Sequence, residues 1–303
     1  MDIPKIELHA HLHGSIRRST LQEFLSQEGS SESFSQKVTL EEAFRLFKLV
    51  HSVVTTPQRV SKITQEMIED FQAEGCVYLE IRTTPKASDH MTKKDYMQAV
   101  TETIQNYSGQ MTVKLLVSVN RSFSLEEAKD NLELAKESSV CVGLDFSGNP
   151  TIGKFSQFKA VFEEARAAGL KVTVHTGEIP HDEQDTLEIL NFKPDRLGHC
   201  NFLTEEAQEF IVENKIPIEV CPSSNMATIG LDSIIDHHFG YFFSRNHPVA
   251  VCTDDTLLFN TSLTQELEIL RKGFGLSIEN LKKVQQDAAD MAFSEVKLIN
   301  EVA

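Results

Sequence analysis

The stretch KIELHAHLHG, residues 5–14, is a short apolar run that ends in three histidines. Side chains two positions apart in a β-strand point to the same face, so His9 and His11 converge if this run is a strand. Imidazole is the commonest metal ligand in proteins, and zinc is its usual partner. The alternative is that both are ordinary histidines on a half-exposed strand. The rest of the chain has to decide between these interpretations.

The composition of the chain indicates a globular protein with a full hydrophobic core. Its 303 residues are 40% hydrophobic and carry a formal net charge of −16. Nucleic acid and anionic membranes would repel such a chain, so we expect neither as a partner. The five cysteines are scattered without a Cys-x-x-Cys pair, the N-terminus has no signal pattern, and no stretch is long enough to span a bilayer. We therefore expect a cytoplasmic protein.

Short apolar runs alternate along the chain with segments of helical periodicity. The eight runs are Ile6–His11, Val77–Thr83, Val113–Val119, Val140–Phe146, Lys171–Thr176, Arg196–Cys200, Ile216–Cys221 and Val249–Thr253. Alternating strands and helices favour a parallel sheet covered by helices, and eight such units favour an α/β fold of the closed (β/α)8 TIM-barrel type. An open doubly wound sheet is the alternative. We expect a single barrel domain over residues 1–303.

The interval between the first and second runs is much longer than one helix requires. Within it, Leu40–Val50 and Val60–Ala73 have helical periodicity, and Pro57 between them is a helix-start signal. An insertion after the first strand of a barrel lies at the C-terminal face, where barrel enzymes keep their active sites. We expect the extra helices to form a lid over that face. The alternative is that they belong to the outer ring.

Polar side chains accumulate where the predicted strands end, and in a barrel all these ends open onto one mouth. They include His9 and His11 of the first run, His175 and Glu178 after the fifth, His199 of the sixth, and Asp254 and Asp255 after the eighth. His9, His11, His175 and Asp254 offer three nitrogens and one oxygen, a donor set that suits one zinc ion with a water ligand.

The other polar groups at the strand ends are candidates for catalysis beside that water. Glu178 would carry a proton, His199 would orient the nucleophile or stabilise charge, and Asp255 would point a second carboxylate at the substrate. The alternative for Asp254 and Asp255 is a solvated turn, and for Glu178 an ordinary loop carboxylate.

Taken together, these motifs resemble the adenosine/AMP deaminase family of the amidohydrolase superfamily. They are His9-Ala-His11-Leu-x-Gly14-Ser15, Ser147-Gly148-Asn149, His175-Thr-Gly-Glu178, Leu197-Gly-His199 and Thr253-Asp254-Asp255. The segments Tyr78–Lys86, Gly143–Pro150 and Asp236–Phe239 resemble the branch of adenosine deaminase-like proteins that act on N6-methyl-AMP. The resemblance covers the chain from Pro4 to about Leu270.

The resemblance implies a zinc-dependent hydrolase that removes an amine from purine C6. It assigns one zinc ion to His9, His11, His175 and Asp254, the protonation of N1 to Glu178, the orientation of the attacking hydroxide to His199, the contact with N3 to the Gly148 amide, and the contact with N7 to Asp255. The implied substrate is N6-methyl-AMP, which would give IMP and methylamine. The alternatives are the deamination of adenosine or adenine, and a non-catalytic purine-binding protein.

Position 13 departs from the family pattern, which usually has aspartate in adenosine deaminases and asparagine in the methyl-AMP branch. Histidine can donate to a phosphate that an acid would repel, so His13 favours a purine nucleoside monophosphate as the partner. The other candidates for phosphate contacts are Arg82, Thr84 and Lys86 after the second run, with Arg59 or Lys62 of the lid as further cations. Arg82 could equally be the structural ion-pair partner of a neighbouring carboxylate. We expect the protein to be a monomer.

Overall fold

Eight parallel strands form a barrel in the computed structural model, which describes residues 3–30 and 40–296. The strands are β1 (Lys5–His11), β2 (Cys76–Thr83), β3 (Thr112–Asn120), β4 (Cys141–Ser147), β5 (Lys171–Thr176), β6 (Arg196–His199), β7 (Ile218–Val220) and β8 (Val249–Val251). Neighbouring strands pair in chain order, and every pair is parallel. The predicted barrel is confirmed, and each strand begins and ends within two residues of its predicted run.

The barrel closes along a seam between its last and first strands. The backbone N–H of His11 donates to the Asp254 carbonyl at 2.9 Å, and the N–H of Asp254 donates to the His9 carbonyl at 2.8 Å. Both hydrogen bonds lie at the C-terminal ends of the strands. The seam therefore joins the first strand to the segment that follows the last strand at the mouth, which excludes the open sheet.

Helices cover the outside of the barrel and alternate with its strands. They are α1 (Arg18–Gln27), α2 (Leu40–Val53), α3 (Pro57–Ala73), α4 (Lys93–Asn106), α5 (Leu125–Glu137), α6 (Phe155–Ala167), α7 (Glu183–Phe192), α8 (Glu205–Asn214), α9 (Pro222–Ile229), α10 (Phe239–Ser244), α11 (Thr256–Phe259), α12 (Leu263–Phe274) and α13 (Ile278–Met291). In α6, Phe155, Phe158 and Phe162 recur at helical spacing and pack on Phe146 of β4. Among the described residues, no helix combines the length and the apolar character that a membrane span needs.

The insertion between β1 and β2 supplies both a lid helix and a ring helix. Phe47, Lys48 and His51 of α2 line the cavity at the mouth, so α2 lies over the C-terminal face as predicted. In contrast, α3 packs against α4 and β2 in the outer ring, which was the alternative for this segment. The preceding helix α1 was not predicted. Its N-cap residue, Arg17, makes no side-chain capping hydrogen bond, so the usual start signal is missing.

Buried charges fill part of the barrel interior beneath the mouth, a feature that the sequence analysis missed. The side chains of Glu80, Arg82, Arg196 and Glu219 are fully buried. Arg196 donates to Glu219 from Nε at 2.6 Å and to Glu80, while Arg82 donates to Glu219 from the opposite side. Burial alone would raise the pKa of Glu219, but the two guanidinium groups hold it well below its usual range. Glu219 is therefore a permanent anion under the site.

Candidate active site

Four donor atoms converge at the mouth of the barrel from β1, β5 and the end of β8. The Nε2 atoms of His9 and His11 lie 3.0 and 3.2 Å from Nε2 of His175. They also lie 3.5 and 3.4 Å from Oδ1 of Asp254. The structure thus brings together all four residues that were predicted to hold a metal ion.

Carboxylates lie behind two of the histidines that face the cluster. Nδ1 of His9 lies 2.9 Å from Oε2 of Glu219, and Nδ1 of His175 lies 3.0 Å from Oδ1 of Asp145. Burial would raise the pKa of Asp145, but His175 and Arg82 lower it well below its usual range. Because an ionised carboxylate can only accept, Nδ1 of His9 carries the proton and its Nε2 presents a lone pair to the cluster, whereas Nδ1 of His175 lies near Asp145 without hydrogen-bond geometry.

The donor set fits a zinc ion. Tetrahedral zinc, with bonds of about 2.0–2.1 Å, places its ligand atoms about 3.3 Å apart, close to the spacing found here. Lone pairs at these distances repel one another unless a cation lies between them. A second set of four donors, His9, His175, His199 and Asp254, also lies within 4.8 Å of one another. His11 and His199 are therefore rival candidates for the last position in the set.

Two glycines of the sequence motifs leave room for functional side chains. A Cβ atom on Gly14 would lie 1.6 Å from Oδ1 of Asp255, and a Cβ on Gly198 would lie 2.9 Å from Cε1 of His9. Neither position can hold a larger residue unless the site moves. Gly14 and Gly198 are therefore required for steric reasons, because a side chain at either position would overlap Asp255 or His9.

Two site residues have a backbone conformation that is uncommon outside glycine. His199 and Asp254 have φ angles of 63° and 61°, in the left-handed region. His199 is the last residue of β6 and Asp254 follows β8, and both residues line the cavity at the mouth. Such strain concentrates at functional sites, because the surrounding structure has to hold it.

Glu178 and Asp255 each direct a carboxyl oxygen without a hydrogen-bond partner into the cavity. Oε2 of Glu178 and Oδ1 of Asp255 are buried and have no partner among the described residues. Burial raises the pKa of Glu178, and burial together with the Asp254 carboxylate raises the pKa of Asp255. Both shifts favour the protonated acid, which can donate a hydrogen bond to a ligand. Oε1 of Glu178 lies 3.9 Å from Nε2 of His199, so the predicted catalytic groups are neighbours.

A cavity of about 490 Å³ extends from this cluster to the lid helix α2. Polar groups line its far end: Nζ of Lys86 lies 2.7 Å from Nδ1 of His51, and the His13 ring is 4.7 Å from the His51 ring. Burial lowers the pKa of Lys86 to about 8, and burial with nearby positive charge lowers the pKa of His13 to about 3. Thr84 and Gly148 also lie in the cavity wall, as the sequence analysis expected.

The contacts of Arg82 are those of the structural ion-pair partner that was the alternative to a phosphate contact, although the residue also borders the cavity. Its guanidinium is fully buried and donates to Asp145, to Glu219 and to the Leu8 carbonyl, so it is a structural ion-pair partner beneath the site. Arg59 and Lys62, which were predicted as lid cations, belong to the ring helix α3 and bind Glu28 and Glu23 instead of lining the cavity.

The lid residues that do reach the cavity, Phe47, Lys48 and His51, were missed by the sequence analysis. The only available signal was a lysine and a histidine on a predicted lid helix. The sequence did not show which side of that helix would face the mouth.

Comparison with known proteins agrees with this geometry. The family model for adenosine deaminase matches residues 4–303. The chain belongs to the adenosine deaminase family. This confirms the resemblance inferred from the motifs, and it makes the chain a hydrolase that acts on purine amines.

The relatives within the family match the chain over nearly its full length. An N6-mAMP deaminase of Arabidopsis thaliana is 37% identical, over 97% of this chain and 93% of the relative. The N6-methyl-AMP deaminase of Homo sapiens is 33% identical, over 98% and 89%. The crystal structure of Arabidopsis ADAL complexed with IMP has a TM-score of 0.91 at 37% identity, over 97% of this chain and 93% of that chain.

Proposed function

We propose that this chain removes the amine from C6 of a purine nucleoside 5′-monophosphate, with N6-methyl-AMP as substrate and IMP and methylamine as products. The observation that carries the proposal is the cavity itself. It joins a metal-donor cluster and the buried carboxyl groups of Glu178 and Asp255, whose pKa values are raised by burial, at one end to the amine of Lys86 at the other. The names of the human and Arabidopsis relatives, and the IMP bound to Arabidopsis ADAL, support this substrate class.

The acids at the mouth suit the purine base. Protonated Glu178 would donate to N1, which draws electrons from C6 and prepares that carbon for attack by water. Asp255 would donate to N7, the Gly148 amide would meet N3, and His199 would orient the water. The oxygen–C6 bond then forms, the C6–N6 bond breaks, and a proton passes to the departing methylamine. Each of these residues lines the same cavity.

His9, His11, His175 and Asp254 would hold one zinc ion. When bound, zinc would supply hydroxide near neutral pH, because it lowers the pKa of a coordinated water towards ~7. The Ser224 hydroxyl donates to Oδ2 of Asp254 at 2.6 Å and leaves Oδ1 to face the cluster. Metal analysis of the purified chain tests this part: one equivalent of zinc supports it, and a different stoichiometric metal contradicts it.

The cationic end of the cavity suits a phosphate dianion. Lys86 offers an ammonium, and Thr84, His13 and His51 offer further donors around it. A negative neighbour favours the charged form of a histidine, so a bound phosphate would raise the low pKa values of His13 and His51. The site would then take up protons as the phosphate binds.

Turnover of paired substrates tests the proposal. We expect kcat/KM for N6-methyl-AMP and AMP to exceed the values for N6-methyladenosine and adenosine by at least ~10²-fold, since charge-assisted hydrogen bonds contribute about 1.5–3 kcal/mol each. Loss of amine is followed by absorbance, with the metal-free protein as control. Equal rates on nucleosides would favour an adenosine deaminase. A zinc-loaded protein that binds purine nucleotides without turnover would be a non-catalytic binding protein.

A cytoplasmic location, a single domain and a monomeric state complete the proposal. All five cysteines are free thiols and four of them are buried, which suits a reducing compartment. Light scattering of the purified chain at increasing concentration tests the monomer. A mass of twice that of the chain would contradict it.

A further inference from the structure

A chain of hydrogen bonds leads from His199 away from the mouth. Nδ1 of His199 lies 3.1 Å from Nδ2 of Asn225, and Oδ1 of Asn225 lies 3.1 Å from Nε2 of His237. Asn225 is fully buried and His237 is 2% exposed. His237 belongs to the Asp236–Phe239 segment, to which the proposed reaction gives no role. These contacts indicate what that segment does.

Two backbone amides fix the direction of each hydrogen bond between His199, Asn225 and His237. The N–H of Cys221 donates to Oδ1 of Asn225 at 3.1 Å, and the N–H of Phe239 donates to Nδ1 of His237 at 3.0 Å. A backbone N–H can only donate, so Oδ1 of Asn225 and Nδ1 of His237 must be acceptors. His237 therefore carries its proton on Nε2 and donates it to Asn225. The remaining group of Asn225, its Nδ2 amide, donates to His199.

We propose that Asn225 and His237 are positioning residues that fix His199 in the tautomer with its proton on Nε2. The lone pair of Nδ1 is occupied by the Asn225 amide, and a proton on Nδ1 would face the N–H of that amide. Nε2 is the nitrogen that faces the mouth, 3.9 Å from Oε1 of Glu178. His199 therefore presents an N–H donor to the site.

This tautomer decides between the two possible donor sets. A metal ligand needs a free lone pair, and His199 has none to offer towards the cluster. His11 is therefore the ligand, and His199 donates a hydrogen bond to the oxygen of the attacking water. The role towards water rests on the proposed function, whereas the tautomer follows from the hydrogen bonds alone.

Nitrogen-15 NMR of histidine side chains reads the tautomer directly, in the full chain with and without zinc. We expect a pyrrole-like Nε2 and a pyridine-like Nδ1 for His199, with its signals assigned through their loss in His199→Gln. In Asn225→Asp the new carboxylate accepts a proton from Nδ1, so that nitrogen should become pyrrole-like. The same variant should lower kcat on the order of 10²-fold with little change in KM, because the loss of one hydrogen-bond donor to the transition state typically has an effect of this size.

Variants at His237 test the hydrogen bond that lies farthest from His199. Gln at this position can still donate to Asn225, so His237→Gln should keep more of kcat than His237→Leu. His247→Leu is the matched control. It removes another buried histidine, which bonds the Ile216 carbonyl, and it should lower the Tm but leave the His199 signals and kcat unchanged.

The outcomes separate this inference from the proposed function. A wild-type His199 with an unprotonated or zinc-bound Nε2 overturns the inference even if the enzyme turns over N6-methyl-AMP. An unchanged tautomer and kcat in Asn225→Asp also overturns it. If the wild type turns over no purine nucleotide, the proposed function fails, while the NMR signals still decide the tautomer.

Discussion

Lys86 should make the use of phosphorylated substrates depend on pH. Burial lowers the pKa of its ammonium to about 8, so the free protein loses this charge as the pH rises through that value. The pKa values of His13 and His51 are lowered to about 3 and about 2, so neither histidine titrates in this range. A phosphate keeps its second charge throughout, because its own pKa is about 6. In the protein without substrate, which is the state that kcat/KM reports, Lys86 is then the group among these three whose charge changes between pH 7 and pH 9.

The Lys86→Arg variant tests this reasoning, because a guanidinium keeps its charge at every pH used. At pH 9, one unit above the pKa, only about 10% of Lys86 is charged, which corresponds to a loss of about 1.4 kcal/mol in binding. For the wild type we expect kcat/KM on N6-methyl-AMP to fall about tenfold from its plateau by that pH. The variant should lack this fall, whatever its absolute activity.

The assay follows the absorbance change on amine loss at several pH values, with N6-methyladenosine as the control substrate. The nucleoside has no phosphate, so its kcat/KM should not follow Lys86. Parallel pH profiles for wild type and Lys86→Arg on N6-methyl-AMP would refute the assignment. A fall of the same size with N6-methyladenosine would place the titrating group at the base end of the cavity.

Three further changes should have distinct signatures. Glu178→Gln should keep its zinc by metal analysis and lose about 10²–10⁴-fold in kcat, as expected for the loss of a general acid, and full activity would remove Glu178 from the reaction. Gly14→Ala puts a Cβ within 1.6 Å of Asp255, so kcat/KM should fall at least about tenfold with unchanged zinc content; unaltered kinetics would show that Asp255 is dispensable. Burial raises the pKa of Glu266 to about 7, so its contribution to stability is present below about pH 4.5 and is lost as the pH rises to 7. By urea unfolding, Glu266→Gln should therefore gain about 3 kcal/mol relative to the wild type between pH 4.5 and 8, and a constant difference would contradict the shift.

The strands and the metal-donor residues could be predicted because each depends on a local pattern. Apolar runs such as Lys171–Thr176 are buried on both faces and have few alternatives to a barrel strand. His9, His175 and Asp254 could then be grouped, since the topology alone sends all strand ends to one mouth. No knowledge of side-chain packing was required for either step.

The residues that were missed depend on packing that the sequence does not display. For Arg82 the ion-pair role was one of two alternatives, but the sequence did not show that Asp145 and Glu219 would be its partners. His51 reaches the cavity because it lies on the side of α2 that faces the mouth, and the sequence does not display that side. Asn225 and His237 act through a third residue, so neither has a spacing that marks it. Such roles become visible only when atoms from distant segments are seen together.

The seam of the barrel has a consequence for how the protein is made. Asp254 closes the last strand onto the first through backbone hydrogen bonds to His9 and His11, so the donor atoms are assembled by the same event that completes the fold. Most of the chain must leave the ribosome before this event. At ~5–20 residues per second, synthesis up to Asp254 takes tens of seconds. His9 and His11 are synthesised long before His175 and Asp254, so the set of donors is incomplete until the last strand is made. The complete set of four donors is therefore expected only once the barrel has closed.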